Sequence, residues 1–201
     1  MIKSNGGIIG PDNVTTGGAF GTASGVLPVI KGFIQDMRDV AQGTSRRGAF
    51  AGYLPIEHGD FEEVSDHLLN HPDDFNLGWN VSNEFIDRLN TGDEDAVYRY
   101  QKAMKIKMIS GKGYFNFIDK VNEANPPFYK EKGYEVKASN LCTEITLYAT
   151  EEETFTCVLS SLNLSKYDEW KDTKAVHDSI IFLDCVASEF IENARGRIGM
   201  E

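Results

Sequence analysis

The sequence predicts an α/β fold with a largely parallel sheet. Short apolar runs bounded by turn residues, typical of buried strands, alternate with longer segments of helical periodicity, typical of helices that cover a sheet. The 201 residues are 41% hydrophobic and 25% charged, which is the composition of a folded globular domain. We therefore expect one α/β domain over residues 1–201, without an internal repeat.

The amino-terminal segment is rich in glycine. Residues 1–25 contain seven glycines and few large side chains, so we expect a loop. It contains neither of the glycine-rich phosphate-binding motifs, G-x-x-x-x-G-K-[ST] and G-x-G-x-x-G. From Leu27 to Ala41 apolar residues recur three and four positions apart, and Pro28 is tolerated in a first helical turn. This segment is predicted to be an amphipathic helix.

The middle of the chain is divided by turn and capping signals. Asp60 and Glu63 form a D-x-x-E capping box, which predicts a helix up to about Leu69. A capping serine and an acidic first turn predict two more helices, at 83–89 and 93–110. Apolar or aromatic runs between these helices predict three buried strands. The strands are Gly48–Ile56, Asn76–Val81 and Tyr114–Ile118.

The second half of the chain contains a breaker, two predicted strands and a long helix. Residues 125–127, with two prolines, interrupt the pattern, and strands are predicted at Glu135–Leu147 and Phe155–Leu162. A helix is predicted at Thr173–Ala194, with an apolar stripe that faces the sheet. No strand precedes the first helix and none follows the last one, so we expect this chain to be part of a larger domain.

The charge of the chain excludes several classes of partner. Twenty Lys and Arg residues against 31 Asp and Glu residues give a net charge of −11. Such a surface repels nucleic-acid phosphates and anionic lipids, so neither nucleic acid nor a membrane is an expected partner. No apolar run reaches the length of a membrane span, and the start lacks a secretory signal. We expect a cytoplasmic protein with reduced cysteines.

The most informative polar pattern surrounds Cys142. On an extended backbone, Asn140, Cys142 and Glu144 point to one face, within about 7 Å of each other. A half-buried strand with a polar outer face has the same alternation, so the pattern alone does not require chemistry. A neighbouring carboxylate raises the pKa of a thiol, which favours a neutral thiol or a radical at Cys142 over a thiolate.

The wider string around these residues is specific. The sequence N-L-C-T-E-I at 140–145, followed by C-V-L-S-S-L-N-L at 157–164, resembles the large catalytic subunit of ribonucleotide reductases that use a cysteine pair as reductant. Supporting segments lie in the family's order at 24–28 (SGVLP), 45–49 (SRRGA), 53–58 (YLPIEH) and 121–126 (VNEANP). The resemblance covers nearly the whole chain and implies the first half of the family's ten-stranded α/β barrel.

The resemblance also implies roles for individual residues in making deoxyribonucleotides for DNA precursor synthesis. Cys142 would be the thiyl radical that abstracts the 3′ hydrogen of the substrate ribose, and Glu144 the base for the 3′ hydroxyl. Asn140 and Ser139 would bind the substrate. Cys157 would be one half of the redox pair, although a cysteine at such a position is otherwise read as a small core residue.

Some parts of the family pattern are missing from the sequence. No cysteine precedes Cys142 as the second redox thiol, and Cys185 on the last predicted helix is interpreted as structural. The nucleotide-binding cone, the substrate-phosphate loop, the radical-transfer tyrosine pair and the carboxy-terminal Cys-x-x-Cys are also absent. We therefore expect a reductase fragment that is active only when assembled; the alternative is a non-catalytic remnant or interaction module of a split reductase.

The resemblance implies partners rather than a bound cofactor. A ribonucleotide substrate, nucleotide effectors, the remaining part of the catalytic subunit and a metal-containing, radical-generating small subunit are expected, with adenosylcobalamin as the other radical source. The glycine-rich loop and residues 71–76 resemble the effector-reading loops, and the helix at Leu27–Ala41 would lie at a dimer interface or simply in the core.

The remaining polar candidates carry weaker signals. Of four histidines, only His67 and His71 have a helical i, i+4 spacing, and no third ligand accompanies them. We expect the histidines to be solvated surface residues, with no metal site. Arg46 and Arg47 are interpreted as an exposed pair before a strand rather than as a phosphate site.

Overall fold

The computed structural model describes residues 25–40, 48–150 and 152–195. The chain divides into two compact units, Met1–Thr154 and Phe155–Glu201. The predicted loop at 1–25 lies, apart from Gly25, outside the described residues, and so do Arg46 and Arg47.

The first unit contains a three-stranded parallel sheet in the order β1-β2-β3. Three of the five predicted strands are present, although each is shorter than its apolar run. The strands are β1 Ala51–Pro55, β2 Asn76–Asn80 and β3 Tyr114–Asn116. Register is fixed by pairs such as Tyr53 with Gly78 and Trp79 with Phe115. Since the strands are parallel, their carboxyl ends lie at the same edge of the sheet.

Six helices accompany this sheet in the described residues of the first unit. They are α1 Val26–Asp39, α2 Phe61–Asn70, α3 Asn83–Asn90, α4 Glu94–Ser110, α5 Ile118–Glu123 and α6 Pro127–Lys132. The sequence predicts the first four of them but not α5, which ends before the breaker at 125–127, or α6, which begins at its last residue. Pro127 is the first residue of α6, a position where its missing N–H has no intrahelical partner to lose.

Local capping signals were correct for two helices. The Ser82 hydroxyl accepts a hydrogen bond from the Phe85 amide at 3.0 Å, and the Asp93 carboxylate accepts one from the Ala96 amide at 2.9 Å. Helix α4 ends at Gly111, whose φ of 74° is the left-handed conformation that glycine adopts without strain. These contacts are local, which is why the sequence predicts them.

The predicted capping box at Asp60 is wrong. The Asp60 side chain makes no capping hydrogen bond to α2. Instead its carboxylate accepts a hydrogen bond, 2.7 Å long, from the amide of Val26 at the start of α1. Asp60 is 4% exposed, so this bond satisfies a buried amide that the preceding glycine cannot cap.

The core of the first unit lies between the sheet and its helices. Its buried apolar residues lie in α1, β1, α2, β2, α3 and α4 or directly beside the strands, and the largest of them are Trp79, Phe61, Phe85, Ile30, Ile56, Leu68 and Leu77. Val26, Leu27, Ile30 and Ile34 place the apolar stripe of α1 in this core. Of the two roles considered for that stripe, the structure shows core packing.

The strands predicted at Glu135–Leu147 and Phe155–Leu162 are both wrong, since neither segment is a strand. In the first segment, side chains rather than a neighbouring strand bind the backbone, as described below. In the second, most side chains are exposed, Leu159 by 80%, and no strand occurs in the described part of the second unit. Alternation of apolar residues makes a strand only where a partner strand completes the hydrogen bonds.

The second unit is helical in its described residues. It contains a short 3₁₀ helix at Leu164–Lys166, α7 at Tyr167–Trp170 and α8 at Ala175–Arg195. The prediction of the last helix is confirmed to within two residues. The expectation that its stripe packs on a sheet is not met within this unit, where no strand occurs in the described residues and Ile180 and Phe190 are exposed by 62% and 50%.

Candidate functional site

The candidate site is built where the three parallel strands end. In open α/β sheets and barrels, ligands bind at the carboxyl ends of the strands. Asn80 and Asn116 are the last residues of β2 and β3, and the Asn116 amide donates a hydrogen bond to the Asn80 side-chain oxygen at 2.7 Å. The Asn80 amide in turn donates to the carbonyl of Lys137 at 2.9 Å. This chain of amides attaches the segment that leads to Cys142 to the sheet edge.

A second asparagine holds the same segment one residue earlier. The Asn122 side chain accepts a hydrogen bond from the Val136 amide at 2.8 Å and donates one to the Val136 carbonyl at 2.9 Å. Val136 is fully buried. Because one side chain satisfies both of its backbone groups, Val136 needs no partner strand, which explains why the predicted strand does not form.

Residues 140–143 form a tight turn. The Thr143 amide donates to the Asn140 carbonyl at 3.2 Å, and the Asn140 side-chain oxygen accepts from the amides of Glu144 and Ile145 at 3.1 and 3.0 Å. Asparagine side chains compete with strand hydrogen bonding in this way. Thr143 has a φ of 66°, which is rare for a β-branched residue. The turn is therefore held by its own side chains in a strained conformation.

The turn, and not a strand, determines how the side chains of the predicted catalytic residues are arranged. The expected common strand face of Asn140, Cys142 and Glu144 is wrong, because the backbone is not extended here. The Asn140 amide nevertheless donates directly to the Glu144 carboxylate at 2.7 Å, and Cys142 lies between them in the chain with an exposed side chain. The amide and the carboxylate are thus brought together by the turn rather than by strand periodicity.

Ser139 closes the base of the turn. Its hydroxyl donates to the Ile145 carbonyl at 2.6 Å, and the residue is 9% exposed. The structure therefore shows a backbone contact for the Ser139 hydroxyl, which supports the turn from inside.

Sequence reasoning missed Tyr53. Its hydroxyl lies 2.7 Å from the Asn140 carbonyl and 2.7 Å from the Thr143 hydroxyl, so it joins β1 to the turn. Burial raises the pKa of Tyr53, which keeps the hydroxyl protonated at neutral pH. The signal that points to it is the strand register, which sets Gly78 directly opposite Tyr53 and leaves room for the ring.

A cavity of about 650 Å³ lies beside β1 and the sheet edge. This volume suits a small-molecule ligand. Apolar residues of α1 and β1 form much of its wall, and its polar lining residues are Tyr53, Glu57, His58, Asn80, Ser82, Glu135, Lys137 and Ser139. The combination of an apolar wall and a few grouped polar side chains is typical of a binding site.

Two arginines fix the loop that carries Glu57 and His58 of the cavity. Arg99 donates to the carbonyls of Ile56 and His58 at 3.1 and 3.2 Å, and Arg88 pairs with Glu57 at 2.5 Å. The His58 ring accepts a hydrogen bond from the Asp60 amide at 3.0 Å. The loop after β1 is therefore rigidly held from α3 and α4.

The prediction of solvated histidines is wrong for two of the four. The side chains of His58 and His67 are only 11% and 9% exposed. His67 stacks on Phe75 and lies 3.0 Å from the Asp74 carboxylate, which compensates its burial. Among residues 25–40, 48–150 and 152–195, no group of three His, Cys, Asp or Glu side chains is arranged to hold a metal ion.

The other two cysteines lie in the second unit. Cys157 is exposed in the segment predicted as a strand, so it is not the core residue that was its alternative interpretation. Cys185 is exposed on α8, which contradicts a packed structural role. No helix in the described ranges combines the length and apolarity needed to cross a membrane.

Comparisons with known proteins agree on one family. A family model described as ribonucleotide reductase, barrel domain, matches residues 9–98 and 95–191. A protein of Frog virus 3 (isolate Goorha), described as a ribonucleoside-diphosphate reductase large subunit, is 31% identical over 191 residues. That alignment covers 85% of this chain and 34% of the viral protein. The ribonucleoside-diphosphate reductase large chain of Neurospora crassa is 29% identical, over 80% of this chain and 22% of its own length.

A solved structure shows the same similarity. The class Id ribonucleotide reductase alpha subunit of Actinobacillus ureae superposes with a TM-score of 0.68 at 32% sequence identity. The match covers 84% of this chain and 39% of that chain. The chain thus spans between 22% and 39% of the length of these relatives.

Proposed function

The chain belongs to the ribonucleotide reductase barrel-domain family, and on that premise we propose that it supplies the catalytic turn of a ribonucleoside-diphosphate reductase. Its three parallel strands and their helices are part of the family's α/β barrel. The names of the relatives support a ribonucleoside diphosphate as substrate and a deoxyribonucleotide as product. Because the chain spans between 22% and 39% of their length, activity requires the rest of the large subunit.

The observation that carries this proposal is the bond between Asn140 and Glu144. This hydrogen bond is 2.7 Å long and joins the amide and the carboxylate of the two residues that flank Cys142 in the sequence. A base must lie within hydrogen-bond reach of the proton that it takes, and Glu144 is exposed and able to meet a substrate hydroxyl. Asn140 orients the carboxylate and can share the same ribose hydroxyl.

The proposed reaction begins at the substrate ribose. The sulfur radical of Cys142 takes the hydrogen atom from C3′, while Glu144 accepts the proton of the 3′ hydroxyl. Two thiols, Cys157 and a second cysteine from the rest of the assembly, supply two electrons and two protons and become a disulfide. One of these protons goes to the 2′ hydroxyl, which leaves as water, and the other forms, with the two electrons, the new C–H bond at C2′. Glu144 returns its proton to the 3′ oxygen, and Cys142 returns its hydrogen atom to C3′ and regains the radical.

The partners follow from the same proposal. The relatives are named as large subunits, which supports a separate radical-generating small subunit over adenosylcobalamin as the radical source. The remaining large-subunit segments would provide the second redox thiol, the phosphate site and the effector sites. In the complete assembly, we expect a dimer of large subunits.

The reductase assembled from this chain, the remaining large-subunit segments and the small subunit tests the proposal. Cys142→Ser should abolish deoxynucleotide formation and leave assembly intact, since the change in volume is small and a serine O–H bond is too strong to form the radical. Cys185→Ser is the matched control and should retain wild-type turnover. Wild-type turnover by Cys142→Ser would overturn the proposal and favour a non-catalytic module.

A second experiment tests the redox role of Cys157. After one turnover without external reductant, Cys157 should be found in a disulfide with another segment, which requires the two α carbons to lie within about 7 Å. Cys185 should stay reduced although it is also exposed. Peptide mapping under non-reducing conditions measures both, and a free Cys157 or a cross-linked Cys185 contradicts this assignment.

A further inference from the structure

We propose that Tyr53 is a positioning residue for Cys142: its hydroxyl holds the turn at 140–143 in place on the sheet. The catalytic part of this inference rests on the proposed function, whereas the hold on the turn does not. Tyr53 lies on β1, almost 90 positions before the turn in sequence, so the contact depends on the fold.

The direction of the two hydrogen bonds follows from their chemistry. The Asn140 carbonyl only accepts, so Tyr53 donates its single hydroxyl proton to it at 2.7 Å. The Thr143 hydroxyl, also 2.7 Å away, must then donate to the Tyr53 oxygen. Tyr53 thereby binds both ends of the turn, with Cys142 between them. Because burial raises its pKa, the hydroxyl stays a donor well above neutral pH.

The conformation of Thr143 explains why such a hold is needed. A φ of 66° is unfavourable for a β-branched side chain and persists only where surrounding contacts fix it. The hydrogen bond from the Thr143 hydroxyl to Tyr53 is such a contact. Without it, the turn is free to relax toward an ordinary conformation, and the adjacent Cys142 moves with it.

The position of the Tyr53 ring is itself determined by the sheet. Tyr53 pairs with Gly78 on β2, and its ring lies so close over Gly78 that any Cβ at this position would overlap the ring atoms. Gly78 is buried within the strand. Glycine in a strand interior is unfavourable and marks a place where another group approaches closely. Here that group is the ring that carries the hydroxyl to the turn.

The remaining hydrogen bonds of this segment do not replace Tyr53. Ser139, Asn140 and Glu144 bind groups within the turn segment itself. Asn122 and Asn80 attach the chain at residues 136 and 137, several positions before Cys142. Within the described residues, the hydrogen bonds of Tyr53 join the turn itself to the sheet.

The first arm of the test uses the purified chain and amide hydrogen exchange. Tyr53→Phe keeps the ring and removes the hydroxyl, so protection of the amides at 143–145 should fall about fivefold to tenfold. Gly78→Ala should have the same effect by displacing the ring. Tyr98→Phe is the matched control: it also removes a hydroxyl, which donates to Glu62 at 3.1 Å on the exposed face of α4. This control should leave protection at 143–145 unchanged.

The second arm uses the assembled reductase. Tyr53→Phe should lower kcat about 10- to 100-fold through misplacement of the thiol, and leave the KM for the nucleotide within about twofold. Unchanged exchange and unchanged kcat in Tyr53→Phe would overturn the inference, as would a rise in KM without a change in kcat. If Cys142→Ser retains activity, the proposed function fails, while the exchange data still decide whether Tyr53 holds the turn.

Discussion

The two units of the molecule differ in how far their large aromatic side chains are exposed. In the first, Phe61, Trp79 and Phe85 are at most 1% exposed, between a sheet and helices that cover it. In the second, Phe182 and Phe190 on α8 are exposed by 66% and 50%. Both units contain helices with regular apolar periodicity. Apolar periodicity therefore defines which face of a helix can be buried, whereas stability comes from the surface against which that face packs.

Truncation of one phenylalanine in each unit should give the greatest difference in the free energy of unfolding. Phe61→Ala removes a ring whose centroid lies 4.9 Å from that of Trp79 and which also contacts the Arg99 guanidinium. This substitution should lower the free energy of unfolding by about 3–5 kcal/mol. Phe182→Ala should change it by less than about 0.5 kcal/mol. Urea denaturation followed by circular dichroism measures both. Equal losses would show that the contrast between the units is wrong.

A smaller effect is expected from removing one helix cap in each unit. Ser82→Ala leaves the Phe85 amide of α3 without its side-chain partner and should destabilise the first unit by about 1 kcal/mol. Asn163→Ala removes a similar bond to the Ser165 amide in an exposed 3₁₀ turn, and the loss should be a few tenths of a kcal/mol. The same denaturation experiment compares them, and a larger loss for Asn163→Ala would contradict the prediction.

A still smaller effect is expected on the pH dependence of the free energy of unfolding in acid. The hydrogen bond from the Ala96 amide, followed by that from Arg88, lowers the pKa of Asp93. A carboxyl whose pKa is lower in the folded state stabilises the fold above its unfolded pKa, and this contribution is lost as the pH falls through the folded pKa. Asp93→Asn should therefore weaken the acid dependence of stability below about pH 4.

The control for this titration lies in the second unit. Asp184→Asn makes the same charge change on the exposed surface of α8. Thermal unfolding between pH 3 and pH 6 should show a flatter pH dependence for Asp93→Asn than for Asp184→Asn. Identical profiles for both variants would show that the Asp93 cap carries no part of the acid sensitivity.

The sequence predicts elements whose signals are local and fails where distant side chains intervene. The cap at Ser82 and the end of the helix predicted at 93–110 involve residues within one turn of the helix, and both predictions are correct. The strand predicted at Glu135–Leu147 fails because Asn122 and Asn80 bind its backbone. Residue types alone do not reveal such substitutes for a strand partner.

The candidate site divides in the same way. The sequence around Cys142 predicts that the side chains of Asn140 and Glu144 lie close together, and they do, although a turn and not a strand brings them into contact. Tyr53 was missed because a tyrosine in an apolar run looks like any strand residue. The sequence feature that points to the role of Tyr53 is the glycine at position 78. That feature can be recognised once the strand register, which pairs Gly78 with Tyr53, is known.

The bond between Asp60 and Val26 has a consequence for the chain as it is made. The two residues are 34 positions apart. At about 5–20 residues per second, a ribosome adds the acceptor about two to seven seconds after the amide that it will bind. Throughout that interval the first turn of α1 lacks its buried partner, so α1 is completed only after the residue at the start of α2 has been synthesised.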